Sequence, residues 1–368
     1  MIYIDNAATS RGKPISVAVS QAKATVFSAN AGRAGHRAGL KAALEIEKVR
    51  ETVRKNFFDG NVIFTKNCTE ALNLGIIGCE PRGRVITTVF DHNSVLRTLK
   101  RMEIEGKIKL VIVAPDENGF VEPLKKSLTP DTSMVVATAR SNVNGKATDV
   151  EKLAATVKRY SSAKFFMDAA QSAGHDDYDY ENVDMLASSG HKGLLGPQGT
   201  GFLLCRNGIE PKPIITGGTG TSGNRLEIPL EIPEGLEAGT LNASGIIALG
   251  KGIDYAFANR ERINAKINGL CRTFTEGLKK IENVEVYPCD GGIALCNVKG
   301  RDSESLADEL SAKYGICVRG GIHCAPLMHG YLGTENRGAV RFSFGNNNTV
   351  AHVFAALVAL KKIARKKA

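Results

Sequence analysis

A single lysine, Lys192, sits in the stretch SSGHKGLLGPQGTG (188–201), with His191 before it and glycine on both sides. Glycine lets the backbone turn tightly and leaves room for a ligand to come close, while Ser188, Ser189 and His191 add polar groups just ahead of the amine. Such a lysine is placed for chemistry, although a surface turn with a solvated lysine has the same composition. Asp168 opens DAAQSAGH (168–175) directly after the apolar run 164–167. Ligands of open α/β sheets bind at the carboxyl ends of strands, so Asp168 there would face a cleft and could pair with a protonated ring nitrogen. Read alone, it is equally an N-cap. In TKNCTEALN (65–73) a helix is predicted to open at Thr69, which makes either a ready anion site or a plain helix start. In FDHNSVLR (90–97), His92 suits a ring face or a proton relay, but a lone histidine is also a common structural residue.

The elements that must position these residues alternate between short β-branched runs and longer amphipathic stretches, the pattern of α/β construction. Strands are predicted at 62–64, 84–88, 110–113, 134–138, 164–167 and 201–204, with near-continuous apolar character that suits a sheet covered on both faces. Helices are predicted at 39–57 and 149–160, the latter opened by Asp149 as N-cap. The region 217–239 reads as loop, and a helical pattern from 246 to about 281 leads into a second domain. That domain is expected to hold strands near 284–287, 292–298, 316–319 and 337–343, and helices 303–314 and 349–364. Three units follow: residues 1–12 as a segment packing with the small domain, 13–252 as the large domain, and 253–368 as the small one.

At 368 residues and 43% apolar content the chain is long enough for two cores. No apolar run is long enough to cross a bilayer, and IYIDNAAT follows Met1 without the charged and apolar segments of a leader, so a cytoplasmic location is expected. The cysteines at 68, 79, 205, 271, 289, 296, 317 and 324 form no CxxC pair, which argues against a zinc site or disulfide framework and for buried, reduced thiols. The net charge of +10 is spread along the chain, with one short cluster, KKIARKK, read as a solvated helix end. Without a basic stripe interleaved with aromatics, a nucleic-acid-associated or sulfur-trafficking scaffold is the distant alternative.

A lysine loop, an aspartate for a ring nitrogen and a helix N-terminus for phosphate together fit a Schiff base with pyridoxal 5'-phosphate. The ordered set TKNCTEALN, DHN, SNVNG, DAAQSAGH, SGHKGLLGP and EAGT resembles the class V aminotransferases, and within them the cysteine desulfurase and selenocysteine lyase family. The resemblance runs from IDNAATS to RGAVRFSF. It implies the pyridoxal-phosphate-dependent transferase fold (fold type I), with a mostly parallel seven-stranded sheet in the large domain and a smaller C-terminal α+β domain. It also implies that Lys192 holds the cofactor covalently, Asp168 its ring nitrogen and Gln171 its ring oxygen, with His92 stacked on the ring. Thr69, Ser189 and His191 would hold the phosphate, Glu70 would belong to the same cofactor site, and Asn142 in SNVNG would approach the ring and the substrate amine. Thr240 of EAGT would reach the phosphate of a second protomer, which implies a homodimer, and Arg341 would grip the substrate carboxylate.

Which reaction follows depends on RGGIHCAPLMHG (319–330). Cys324 has glycines before it and Arg319 in the same motif, with Arg341 expected nearby, an environment that favours a thiolate. In the resembling family the cysteine here accepts sulfur, and the short HCAPLM loop is of the SufS-like kind. The implied reaction takes L-cysteine to L-alanine, with Lys192 as base and a persulfide left on Cys324. Selenocysteine lyase and cysteine sulfinate desulfinase are the alternatives on the same residues. The abrupt start at IYIDNAATS and the unusual 217–240 segment distinguish the chain from the best-known SufS-like members, so a SufE- or SufU-like acceptor is an expectation of the family alone.

Overall fold

The computed structural model describes residues 1–33, 35–220 and 226–365. From the N-terminus, β1 (Ile2–Tyr3) leads to α1 (Ile15–Phe27), α2 (Arg37–Asn56), β2 (Asn61–Thr65) and α3 (Cys68–Gly78). Then come β3 (Gly83–Thr88), α4 (Asn93–Ile104), β4 (Ile108–Val113), α5 (Val121–Ser127), β5 (Thr132–Thr138) and α6 (Val150–Tyr160). β6 (Lys164–Asp168), β7 (Met185–Ser189) and β8 (Gly201–Cys205) complete one sheet of seven strands in the order β2-β8-β7-β6-β5-β3-β4. β8 runs antiparallel to both its neighbours and the remaining pairs are parallel, so the sheet is mostly parallel as expected.

Every residue of β7 and β8 is buried, and β6 is buried after its first, because helices cover both faces of the central strands. β7 is the strand that pattern reading did not separate from the lysine stretch. Its residues MLASS include two serines and no β-branched side chain, so only the pairing partners β6 and β8 define it. The start of α3 also differs from expectation. Asn67 is the N-cap, its side chain accepting the Glu70 N–H, and the helix begins at Cys68, one residue before the expected Thr69. Asp149 caps α6 as expected by accepting the Lys152 N–H at 3.2 Å.

The expected connector of 246–281 is two helices, α7 (Ala243–Ala258) and α8 (Arg260–Leu278), separated at Asn259. Beyond them lie β9 (Val284–Val286), β10 (Ile293–Val298), α9 (Ser303–Tyr314), β11 (Ile316–Cys317), α10 (Pro326–Leu332), β12 (Val340–Ser343) and α11 (Val350–Ala364). β12, β10 and β9 form an antiparallel three-stranded sheet over a second core that includes Phe274, Phe342 and Phe344. β11 is not in that sheet; it pairs in parallel with β1, Ile2 opposite Ile316, so the N-terminal segment lies on the C-terminal part of the chain. The 217–239 segment is anchored where it is described. Glu237 forms a buried bidentate pair with Arg50 at 2.9 and 2.7 Å and accepts the Phe64 N–H of β2 at 2.6 Å. Residues 221–225 of that segment and the last three of the basic tail fall outside the described residues. No described helix is long and apolar enough to cross a membrane.

Candidate active site

At the carboxyl ends of β5, β6 and β7 lies a cavity of about 100 Å³. Thr69, His92, Asn142, Asp168, Gln171, Ser189, His191 and Lys192, all singled out from the sequence, line it, together with Asn67, Cys68, Ser94, Thr138, Arg140 and Ala170. A smaller cavity on the far side of Lys192, Gln171 and Arg140 reaches Gly292, Ser343 and Phe344, beside the strands β10 and β12.

Burial pushes the Lys192 amine below the ordinary lysine value; Arg341 and Arg319 push the same way, and Cys68 and Asp168 oppose them. Asp168 is buried, which raises its carboxyl, against the Ala170 N–H and the charge of Lys192. Two donors fall on its Oδ1, the Ala170 N–H at 2.9 Å and the Cys68 thiol at 3.6 Å. The Cys68 thiol, raised well above its ordinary value by burial, keeps the proton it donates. His92 caps α4, its Nδ1 accepting the Ser94 N–H at 3.1 Å, and burial and then Lys192 lower it to about 4, so the ring is neutral. Burial likewise lowers His191 to about 4, helped by Lys192 and Lys13.

The residues present fit pyridoxal phosphate. Ser189 Oγ and His191 Nδ1 are buried without a hydrogen-bond partner, and they line one cavity with the Thr69 end of α3. Unpaired buried polar atoms are costly, so their meeting at a helix N-terminus marks an anion-binding end. Asp168 lines the same cavity as a carboxylate for a ring nitrogen, and Lys192 supplies the desolvated amine.

Four of the sequence-assigned residues, Glu70, Thr240, Arg341 and Cys324, do not line this cavity. Glu70 does not line the cavity: its own N–H donates to the Asn67 cap and its Oε2 accepts the Lys66 N–H at 2.6 Å, which occupies the carboxylate just ahead of the helix. Thr240 is exposed and apart from this cavity. Arg341 is almost fully buried, with Nη1 donating to the Asn142 carbonyl at 2.7 Å, Nη2 to Asp5 Oδ1 at 2.8 Å, and Nε unpaired.

Cys324 belongs to the turn before α10 but is joined to the cavity wall. Its carbonyl accepts the Asn93 N–H at 2.7 Å, next to His92, and the Asn142 side-chain amide donates to the carbonyl of His323. Arg319 Nη2 donates to Cys324 Sγ at 3.3 Å. Behind the turn, His323 and His329 stack with their rings 5.1 Å apart, and His329 Nε2 accepts the His323 N–H at 3.1 Å.

Sequence reasoning did not single out Arg140, Lys13 or Asn67. Arg140 lines both cavities, and its guanidinium is held by Asp176 at 2.8 and 2.6 Å. Lys13 donates to the His191 carbonyl at 3.1 Å across 178 residues, a contact with no local signal. Asn67 had one: an Asn three residues before a Glu is a capping-box pattern.

The aminotransferase class-V family matches residues 2–355. A probable cysteine desulfurase of Methanothermobacter thermautotrophicus is 33% identical over 389 residues, covering 99% of this chain and 94% of that protein. A cysteine desulfurase IscS of Clostridium botulinum is 28% identical, covering 100% of this chain and 95% of the other. The apo structure of a cysteine desulfurase from Thermococcus onnurineus NA1 is similar with a TM-score of 0.90 and 32% identity, covering 99% of this chain and 94% of that one. Whole-length agreement in sequence and fold, together with the lysine, aspartate and anion-binding cavity, establishes that this chain belongs to the class-V aminotransferases, a family of pyridoxal-phosphate enzymes.

Proposed function

We propose that this chain is a pyridoxal-phosphate-dependent cysteine desulfurase that converts L-cysteine to L-alanine and keeps the sulfur as a persulfide on Cys324. The observation that carries this reading is the bond from the Asn93 N–H to the Cys324 carbonyl, which ties the thiol-bearing turn to the wall of the cofactor cavity beside His92. The names of the relatives support the same activity.

When bound, pyridoxal phosphate supplies the electron sink that makes the substrate α-proton acidic. Ser189, His191 and Thr69 would take its phosphate and Asp168 its ring nitrogen, with Lys192 joining it covalently. The cluster of burial and positive neighbours that lowers Lys192 leaves a free amine able to accept the α-proton. Arg341 recognises the substrate carboxylate by exchanging one partner, Asp5, for the incoming acid. The sulfur of Cys324, oriented by the Arg319 guanidinium, attacks the substrate sulfur. A sulfur–sulfur bond forms, the carbon–sulfur bond breaks with its electron pair left on carbon, and protonation there, with return of the α-proton taken up by Lys192, gives alanine.

The short turn before α10 supports a SufS-like placement within the family, and a SufE- or SufU-like protein as acceptor is the corresponding partner. A homodimer is supported by an exposed apolar stripe, Ile15, Val19 and Val26 of α1 with Phe27 at 80% exposure, and by Thr240 lying exposed and free of its own chain's cavity. Thr240→Ala should weaken cofactor retention in a dimer and leave it unchanged in a monomer, as sedimentation and cofactor titration would read together.

The deciding experiment compares wild type with Cys324→Ser, each loaded with cofactor, on L-cysteine, measuring alanine and sulfur release. Loss of both with cofactor absorbance retained is the expected result, and undiminished turnover would overturn the assignment. Selenocysteine and cysteine sulfinate, assayed alongside, separate the lyase and desulfinase activities, since those leaving groups need no sulfur acceptor on the protein.

A further inference from the structure

The turn that carries Cys324 is gripped at three backbone groups around the thiol. Two grips come from the cofactor cavity: Asn142, which lines it, donates its side-chain amide to the His323 carbonyl, and Asn93, next to His92, donates its N–H to the Cys324 carbonyl at 2.7 Å. The third comes from α10, where His329 Nε2 accepts the His323 N–H at 3.1 Å. Within HCAPLMHGYLGT (323–334), Gly333 closes α10 with φ +66°, which returns Thr334 to His329, and the Thr334 N–H donates to the His329 carbonyl at 2.9 Å. We propose that His329, oriented by Thr334, is the positioning residue that holds the Cys324 sulfur where it attacks the substrate sulfur.

His323, His329 and Thr334 are all fully buried, where an unmatched polar atom is costly. The Thr334 hydroxyl donates to the His329 carbonyl at 3.3 Å, and its oxygen faces His329 Nδ1 at 2.8 Å. That oxygen therefore accepts the Nδ1 proton and leaves Nε2 with its lone pair, since the partner of one ring nitrogen fixes the tautomer for the other. Burial, which lowers both histidines below the ordinary value, keeps that lone pair free of a proton. His323 turns its backbone N–H and, at 3.0 Å, its ring Nδ1 towards this one atom. Cys324 needs such a hold, because its φ of +59° is left-handed and a residue with a Cβ adopts it at a cost. The bonds from Asn142 and Asn93 fix carbonyls, whereas the His329 bond fixes the N–H ahead of the thiol. Its loss lets residue 323 rotate and carries the sulfur with it, and a misplacement of about 1 Å lowers a rate by up to about a hundredfold.

This role rests on Cys324 being the sulfur acceptor, and the test uses the holoenzyme with L-cysteine, reading alanine formation. His329→Leu, which removes the acceptor and keeps an apolar side chain in its place, should lower kcat at least about tenfold while KM stays within about twofold. Cofactor absorbance and the affinity for L-alanine, which has no sulfur to present, should stay as in wild type. His329→Gln, whose side-chain oxygen accepts the same N–H, should recover most of the rate. Thr334→Val, of equal size but without the hydroxyl, should lower kcat several-fold. If His329→Leu does not fold, Thr334→Val decides on the same readouts. A wild-type kcat in the deciding variant, or a kcat and an alanine affinity that fall together, overturns the positioning role alone. Wild type that forms no alanine from L-cysteine overturns the desulfurase reading itself, and the positioning role with it.

Discussion

The ammonium of Lys13 lies 3.1 Å from the carbonyl oxygen of His191, the residue joined by its peptide bond to Lys192. The Ser10 hydroxyl at 2.9 Å and the Ser10 N–H at 3.1 Å reach the same oxygen. The N-terminal segment thus clamps the peptide that presents the reactive amine, and through Gln171, which donates to the Ala7 carbonyl at 2.9 Å, it also braces the cavity wall. A charge-assisted bond of this kind contributes on the order of 1.5–3 kcal/mol. Lys13→Met is therefore expected to weaken cofactor binding roughly tenfold or more, read by titrating apoenzyme with pyridoxal phosphate, and Lys13→Arg should restore part of the loss. Unaltered affinity in Lys13→Met would show that the clamp does not position the lysine.

Cys324 holds a left-handed backbone, φ +59°, that side chains other than glycine adopt at a cost. Its carbonyl bond to Asn93 and its sulfur contact with Arg319 hold it there. Cys324→Gly should be more resistant to thermal unfolding than Cys324→Ala by about 1 kcal/mol, because only glycine relieves the strain. Equal stability of the two variants would remove strain from the account of this turn.

His323 and His329 are fully buried, and burial lowers both below the ordinary histidine value, His329 to about 4. Because their folded values lie below the unfolded value near 6.5, they favour the folded state above that pH. That contribution is lost as pH falls from 6.5 towards 4, with a slope of up to about 1.4 kcal/mol per pH unit for each proton the unfolded chain takes up. Urea midpoints should stay level from pH 8 to 7 and drop between pH 6.5 and 4, with a shallower drop in His329→Gln. A midpoint that is flat to pH 5 contradicts two buried neutral histidines.

Arg319 donates to the Cys324 sulfur from the same turn. Arg319→Ala removes that donor and leaves the Cys324 side chain free to turn, so it should lower kcat for cysteine more than it raises KM, while the absorbance of bound cofactor stays as in wild type. An Arg319→Ala enzyme with unchanged kcat would confine the arginine to packing.

Much of the site could be read from spacing because it consists of strand ends and a helix start. Asp168 and the lysine stretch follow apolar runs, and a parallel sheet places such ends on one side, so their meeting in one cavity follows from local pattern plus topology. Thr69 reached the right helix end although the start was misplaced by a residue, since the capping side chain is Asn67. Glu70 was legible only as a neighbour of the phosphate residues; its carboxylate accepts the Lys66 N–H just ahead of the helix. β7 was invisible as a strand because the strand takes its identity from β6 and β8 on either side.

By themselves, the residues determined the cofactor chemistry: an isolated lysine among glycines, an aspartate after a buried strand and a helix N-terminus are each local, and together they need one ligand. Tertiary structure alone decided what surrounds that chemistry. Lys13 meets His191, Asp5 meets Arg341, and Cys324 meets Asn93, contacts separated by 178, 336 and more than 200 residues respectively. Such bonds depend on how two packed cores and an N-terminal strand dock, and a pattern with a period of 2 or 3.6 residues carries no information about that docking.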